Sequence, residues 1–164
     1  MFDLLAGADQ ESCMNADHSE PMLYQRARFA TQLPVGYRYS PSHFWMAEQE
    51  PQVWRVGLTK FGSRMLGEMV DYGFEVEPGA PVVVGQVIGW VEGFKALTEI
   101  ASIADGRFAG VNPALDQNPA LVNQDPFGAG WLYAVHGQPG ANCTDVEGYK
   151  KILDQAIDRM LKSE

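Results

Sequence analysis

The sequence predicts a mainly β chain with short helices and one C-terminal α-helix. Three observations carry that reading: short aromatic and β-branched runs, glycines that punctuate those runs, and one sustained helical stripe near the C-terminus. At 164 residues the chain fits one domain with a single buried core. Its 46% apolar share is that of a globular protein. Glycines inside strand runs call for sharp bends or close backbone approach, as in a small curled sheet.

Taken in order, residues 1–36 read as an extension. Asp3, Asp9, Glu11, Asp17 and Glu20 precede the first basic residue, Arg26, and no helix or strand period is sustained. Cys13, Met14 and His18 lie close together there without the second ligand pair a metal site needs, so a polar segment is the reading preferred. From Tyr37 the character changes. His43 to Met46 and Val53 to Leu58 read as strands. Phe61, Met65 and Leu66 recur at helical spacing, with Gly67 placed to end that helix. Val82 to Val84 with Val87-Ile88, then Leu97 to Ser102 and Arg107 to Val111, continue the β pattern.

Pro113 and Pro119 open short helical turns, and Trp131 to Val135 reads as a closing strand. The glycine-rich stretch 137–141 reads as a linker. Thr144 and Glu147 have capping-box spacing, and Val146, Tyr149, Leu153, Ala156, Ile157 and Met160 form the apolar stripe of the final helix. Packing of that stripe on the sheet is the simpler reading, a dimer contact the other. The expected organisation is an extension over 1–36, a domain over 37–137, and a linker with a helix packed on that domain over 138–164.

A formal net charge of −9 argues against nucleic acid as a partner and fits docking to basic surfaces. Cys13 and Cys143 lack CxxC spacing and read as two unpaired thiols of a reducing compartment. With no apolar run of membrane-spanning length and no basic-then-apolar leader, a soluble cytoplasmic protein is expected. His43 has no nucleophile in a recognisable motif and reads as a structural histidine; His136 reads as solvent-facing. Ser42, Ser63 and Ser102 lack triad context, and glycines 85, 89 and 93 are not a phosphate-binding fingerprint. No catalytic residue and no metal site is expected.

Lys95 is the residue that carries chemistry. It is one of five lysines, and Lys150, Lys151 and Lys162 fall in the final helix. It sits on a small-residue turn between two strand runs, in Glu92-Gly93-Phe94-Lys95-Ala96. Gly93 eases the turn, Ala96 leaves the approach open, and Glu92 and Glu99 supply charge a basic enzyme could read. Such a mount suits a covalent attachment site, and it suits an ordinary solvated lysine as well.

The same segment, with Ile100, Gly106 and Val111-Asn112, resembles the lipoyl-lysine segment of the glycine cleavage system H protein family. Asn112-Pro113-Ala114-Leu115, Asn118-Pro119, Leu121-Val122-Asn123, Asp125-Pro126-Phe127-Gly128 and Gly130-Trp131-Leu132 continue the likeness. His43-Phe44-Trp45, Val56-Gly57-Leu58-Thr59 and Leu66-Gly67-Glu68 open it, so that it covers roughly 37–135. The family usually places a serine and a small aliphatic residue before the lysine, where this chain has Gly93 and Phe94.

The resemblance implies a lipoyl-type barrel-sandwich hybrid and covalent lipoate on Lys95, with Glu92, Gly93, Phe94 and Ala96 around it. It implies a non-catalytic carrier in glycine catabolism, shuttling an aminomethyl group on lipoyl-lysine. The partners so implied are glycine decarboxylase (P protein), aminomethyltransferase (T protein), dihydrolipoyl dehydrogenase (L protein) and a lipoate-attaching enzyme. An H-like relay that donates lipoate or octanoate to other lipoyl domains is the alternative. Phe94, Leu97 and Ile100 are either the lining of a cleft for the arm or packing residues.

Overall fold

The computed structural model describes residues 20–163. Eleven strands and three α-helices follow in chain order among the described residues: β1 Met22–Arg26, β2 Phe29–Leu33, β3 Arg38–Tyr39, β4 Phe44–Glu50, β5 Val53–Leu58, α1 Lys60–Leu66 and β6 Met69–Phe74. Then come β7 Pro81–Val82, β8 Val87–Gly93, β9 Leu97–Ala101, β10 Ala104–Val111, α2 Leu121–Gln124, β11 Tyr133–Pro139 and α3 Val146–Ser163, with a 3-10 turn at Pro113–Asp116. β3-β4-β5-β11-β10-β7 form one sheet, β6-β8-β9 a second, and β1-β2 a separate hairpin. Every strand pairing is antiparallel.

Strand β4 shows how the layers form. Four successive residues, Phe44 to Ala47, are buried because the sheet is covered on both faces. Phe44 and Met46 join a cluster drawn from the two large sheets, with Val56, Ile88, Val91, Ile100, Phe108 and Val135. Trp45 and Ala47 join a second cluster with the hairpin and α3, through Tyr24, Phe29, Leu33, Tyr149, Leu153 and Ile157. Register shifts between Met69 and Asp71, Val87 and Gly89, and Phe108 and Gly110 curl the sheets.

The structure departs from the sequence reading at four places. Residues 22–33, expected to lack a sustained strand period, form the β1–β2 hairpin, whose Phe29, Thr31 and Leu33 face inward alternately; residues 1–19, including Cys13, Met14 and His18, lie outside the described residues. Gly137–Pro139 are the end of β11 and not a linker, paired with β10 at Pro139↔Ala104. A Cβ on Gly137 would stand 2.0 Å from the Asp105 carbonyl oxygen, so the glycine serves close strand approach. The capping box is replaced by a different cap. Thr144 instead bridges to Tyr39, while the Asp145 side chain accepts from the Gly148 amide at 3.0 Å. Of the two readings left open for Ile100, its full burial supports packing. The stripe of α3 packs inward from Val146 to Ile157, whereas Met160 is 45% exposed.

Candidate functional site: the Lys95 turn

Lys95 and Phe94 form the tip between β8 and β9, closed by the Gly93 amide donating to the Ala96 carbonyl at 2.8 Å. The tip does not stand free. Its two backbone N–H groups are tied to the end of α1 and the residues just after it: Lys95 donates to the Leu66 carbonyl at 3.0 Å and Phe94 to the Glu68 carbonyl at 3.1 Å. Gly93 has a different role from the one the sequence suggests. It is needed for contact more than for turning, since a Cβ there would stand 2.3 Å from the Leu66 carbonyl oxygen. Gly67, at φ 79°, ends α1 and leaves room for the Lys95 side chain, whose Cγ would be 2.9 Å from a Cβ.

With its backbone fixed, the Lys95 side chain remains exposed, and its Nζ donates to the Arg64 carbonyl at 3.2 Å. Phe94 is 76% and Leu97 70% exposed on either side. Glu92 and Glu99 are exposed on β8 and β9, and Ala96 is half-buried. Lys95, Glu92, Gly93, Phe94 and Ala96 are therefore together at one tip.

Asn123 supports this seat, a role the sequence did not show. Its Oδ1 accepts from the Met69 amide at 2.9 Å, and its Nδ2 donates to Ser63 Oγ at 2.9 Å and to the Gly67 carbonyl at 2.8 Å. One side chain thus pins the chain on both sides of the carbonyls that hold the tip. Asn112 does similar work nearby, donating to the Ala129 and Trp131 carbonyls and accepting from the Ala114 amide. Partners 54 to 60 residues away in sequence leave no local spacing by which Asn123 could be found.

Beside a cavity of about 490 Å³ lined by Lys95, Arg64, Glu68 and Asn123 among others, two more adjoin the tip. One, of about 680 Å³, is lined by Lys95, Arg28, Phe29, Arg64, Met65 and Met160 among others. The other, of about 470 Å³, includes His43, Phe44, Met65, Ala96, Thr98 and Arg159. They share Phe61, Met65 and Met160. His43 Nδ1 lies 2.8 Å from the Tyr149 hydroxyl; burial, with a smaller contribution from the Arg159 charge, lowers its pKa to about 4. It is neutral at physiological pH and sits half-buried against Phe61 and Tyr149. His136 is exposed. Cys143 is a free, buried thiol whose pKa burial raises. Among the described residues no cluster of three His, Cys, Asp or Glu could hold a metal ion, and no helix is long and apolar enough to cross a membrane.

The glycine cleavage H-protein family matches residues 37–161. The chain belongs to that family. The mitochondrial glycine cleavage system H protein of Saccharomyces cerevisiae is 35% identical over 120 residues, which is 73% of this chain and 70% of that protein. The H protein of Corynebacterium jeikeium is also 35% identical, over 73% of this chain and 96% of its own. A crystal structure of a glycine cleavage system H protein from Mycobacterium marinum superposes with a TM-score of 0.63 at 30% identity, over 71% of this chain and 95% of that one. The H-protein fold is thus the mainly β, lipoyl-type barrel-sandwich hybrid, here with short helices and a C-terminal helix.

Proposed function

We propose that this chain is the lipoylated carrier of the glycine cleavage system, with Lys95 as its attachment residue. The observation that carries this reading is an exposed amine on a backbone-tied tip. Acylation suits its surroundings: the amine has no carboxylate partner among the described ion pairs, and its contact is a carbonyl, to which an amide N–H can still donate. A lipoyl group there supplies a reducible dithiolane able to carry an aminomethyl unit between enzymes.

The chain's own residues hold and present. Leu66 and Glu68 fix the tip, Gly93 permits its close seating, and Ala96 keeps the β9 side low. Glu92 and Phe94 flank the amine as surface for the enzyme that attaches lipoate. The working partners are glycine decarboxylase, aminomethyltransferase and dihydrolipoyl dehydrogenase, each meeting Lys95 at its own active site; tethering keeps the local concentration high at each of them. The chain carries and does not catalyse.

Intact-mass spectrometry of native material, with peptide mapping over Lys95, tests the attachment. A lipoyl mass gain on the Lys95 peptide is expected, and its absence from native protein overturns the reading. Lys95→Arg keeps the fold and abolishes glycine–bicarbonate exchange with the decarboxylase. Exchange retained in that variant has the same overturning force.

A further inference from the structure

The smaller sheet, β6-β8-β9, covers the core with one face and leaves the other to solvent. Tyr72, Phe74, Val91 and Ile100 turn inward to the core cluster. By the two-residue period of a strand, Asp71, Gly73, Trp90, Glu92, Leu97 and Glu99 turn outward, paired as Gly73↔Trp90↔Glu99 and Asp71↔Glu92↔Leu97. The Trp90 indole lies across Gly73, where an added Cβ would stand 2.8 Å from its Cε2, Cζ2 and Nε1 atoms. One side of the ring is therefore fixed against β6, and the half-buried side chain keeps its other side toward solvent. Its Nε1 donates to no described residue, and no described cation covers the ring. Trp45 and Trp54, by contrast, donate to carbonyls within the fold, and Trp131 holds Arg55 at 4.6 Å from its ring centre. Asp71, Glu92 and Glu99 are exposed and take part in none of the ion pairs among the described residues, and no Lys or Arg is among the residues of this face.

We propose that this face docks an arginine-bearing surface of a partner protein, with Trp90 as the stacking platform and Asp71, Glu92 and Glu99 as the counter-charges. A planar guanidinium offers one face to the indole and a fork of N–H donors to a carboxylate, whereas an ammonium offers only a point charge. Arg55 and Trp131 already make this stacking pair inside the chain. The free indole N–H adds a donor for a carbonyl of the same partner. Tryptophan and arginine are the side chains that most often carry the binding energy of an interface, and carboxylates around them orient the encounter and repel an acidic surface. Leu97, 70% exposed, extends the apolar area from Trp90 toward the Lys95 tip, so a protein seated here lies beside that lysine. The face is built from β6, β8 and β9 and uses no property of the Lys95 amine, so it stands or falls separately from the attachment reading.

The test titrates the full chain, unacylated at Lys95 and isotope-labelled at its tryptophan indoles, with acetyl-tetraarginine amide, acetyl-tetralysine amide and acetyl-tetraglutamine amide. The indole N–H resonances are followed by NMR, with Trp90→Phe assigning the signal of Trp90. Saturable movement of the Trp90 signal with tetraarginine is expected, while those of Trp45 and Trp54 stay in place. Tetralysine binds roughly 3-fold more weakly, the margin of one exposed cation–π contact, and tetraglutamine does not bind. Asp71→Asn with Glu99→Gln weakens tetraarginine roughly 5-fold, as the loss of two exposed ion pairs would. Gly73→Ala keeps the tryptophan and every charge but displaces the ring, and brings tetraarginine down to the tetralysine affinity; unmoved Trp45 and Trp54 signals report that the fold is kept. Equal affinity of the two cationic peptides for the wild type, or tetraarginine binding unchanged in the carboxylate variant, overturns the proposal. So does a Trp90 shift that grows with chain concentration alone, which would put a second copy of this chain on the face. The mass found on native Lys95 has no bearing on any of these outcomes.

Discussion

Gly93→Ala tests whether the lysyl tip is seated on α1 or merely near it. The added Cβ would stand 2.3 Å from the Leu66 carbonyl oxygen and 2.8 Å from Leu66 Cγ, distances that no rotamer change relieves because the first contact is backbone. Overpacking of this kind costs about 1–3 kcal/mol if the tip stays in place. Lifting the tip relieves that strain but breaks Lys95 N–H to Leu66 and Phe94 N–H to Glu68, together worth about 1–3 kcal/mol. The smaller cost wins, so the variant loses about 1–3 kcal/mol of local stability while the two cores stay intact. The matching readout is amide hydrogen exchange at Phe94 and Lys95, faster by about 5- to 150-fold, with Val91 and Ile100 amides unchanged. Exchange at the tip that is already fast in the wild type, or equally protected in the variant, refutes the seating argument.

Three further outcomes follow from the same geometry. Asn123→Ala strands the Met69 amide and the Gly67 carbonyl, costs about 2–4 kcal/mol by denaturant unfolding, and also speeds exchange at Lys95, whereas an exposed-surface alanine change does neither. Tyr149→Phe removes the hydroxyl shared by His43 Nδ1 at 2.8 Å and Thr59 Oγ1 at 2.7 Å, and lowers the unfolding free energy by about 1–3 kcal/mol at neutral pH. His43 has a folded pKa of about 4 against 6.5 unfolded, so the unfolded chain takes up the proton first as pH falls. Its contribution is full above pH 6.5 and is lost between 6.5 and 4, by no more than about 3 kcal/mol. Urea midpoints of wild type and His43→Asn should therefore diverge in slope across that window, and parallel curves would refute the assignment.

Much of this was legible in the chain itself. The strands over 44–50, 53–58, 87–93 and 97–101 announce themselves because aromatic and β-branched residues crowd short runs bounded by turn residues. Gly67 was readable as the end of α1, since only a residue tolerant of positive φ closes the helix there. The β1–β2 hairpin was not readable. Its inward residues Phe29, Thr31 and Leu33 keep a period of two, but a buried threonine in the middle breaks the apolar alternation. The true cap of α3 was hidden by the better-looking Thr144, whose backbone is committed to Tyr39. At the site, Lys95 was visible from its neighbours in sequence. Asn123 acts through neighbours brought together only by the fold.

The motif residues that follow the lysine therefore have a mechanical meaning. Asn123 holds Ser63, Gly67 and Met69; the Asp125 side chain accepts from the Ala129 amide at 2.9 Å and fixes the turn through Phe127. Tyr37 donates to the Phe127 carbonyl at 2.9 Å, and Trp45 Nε1 donates both to Pro126 at 2.8 Å and to Leu58 at 3.0 Å, just ahead of α1. The chain of support runs from the 121–130 segment into α1, and from the α1 carbonyls to the tip. Of these groups only the α1 backbone touches the amine of Lys95, at the Arg64 carbonyl. What they set is where the amine stands relative to the end of α1. A carrier needs that fixed bearing more than it needs a reactive neighbour, because each partner must find the same arm at the same place.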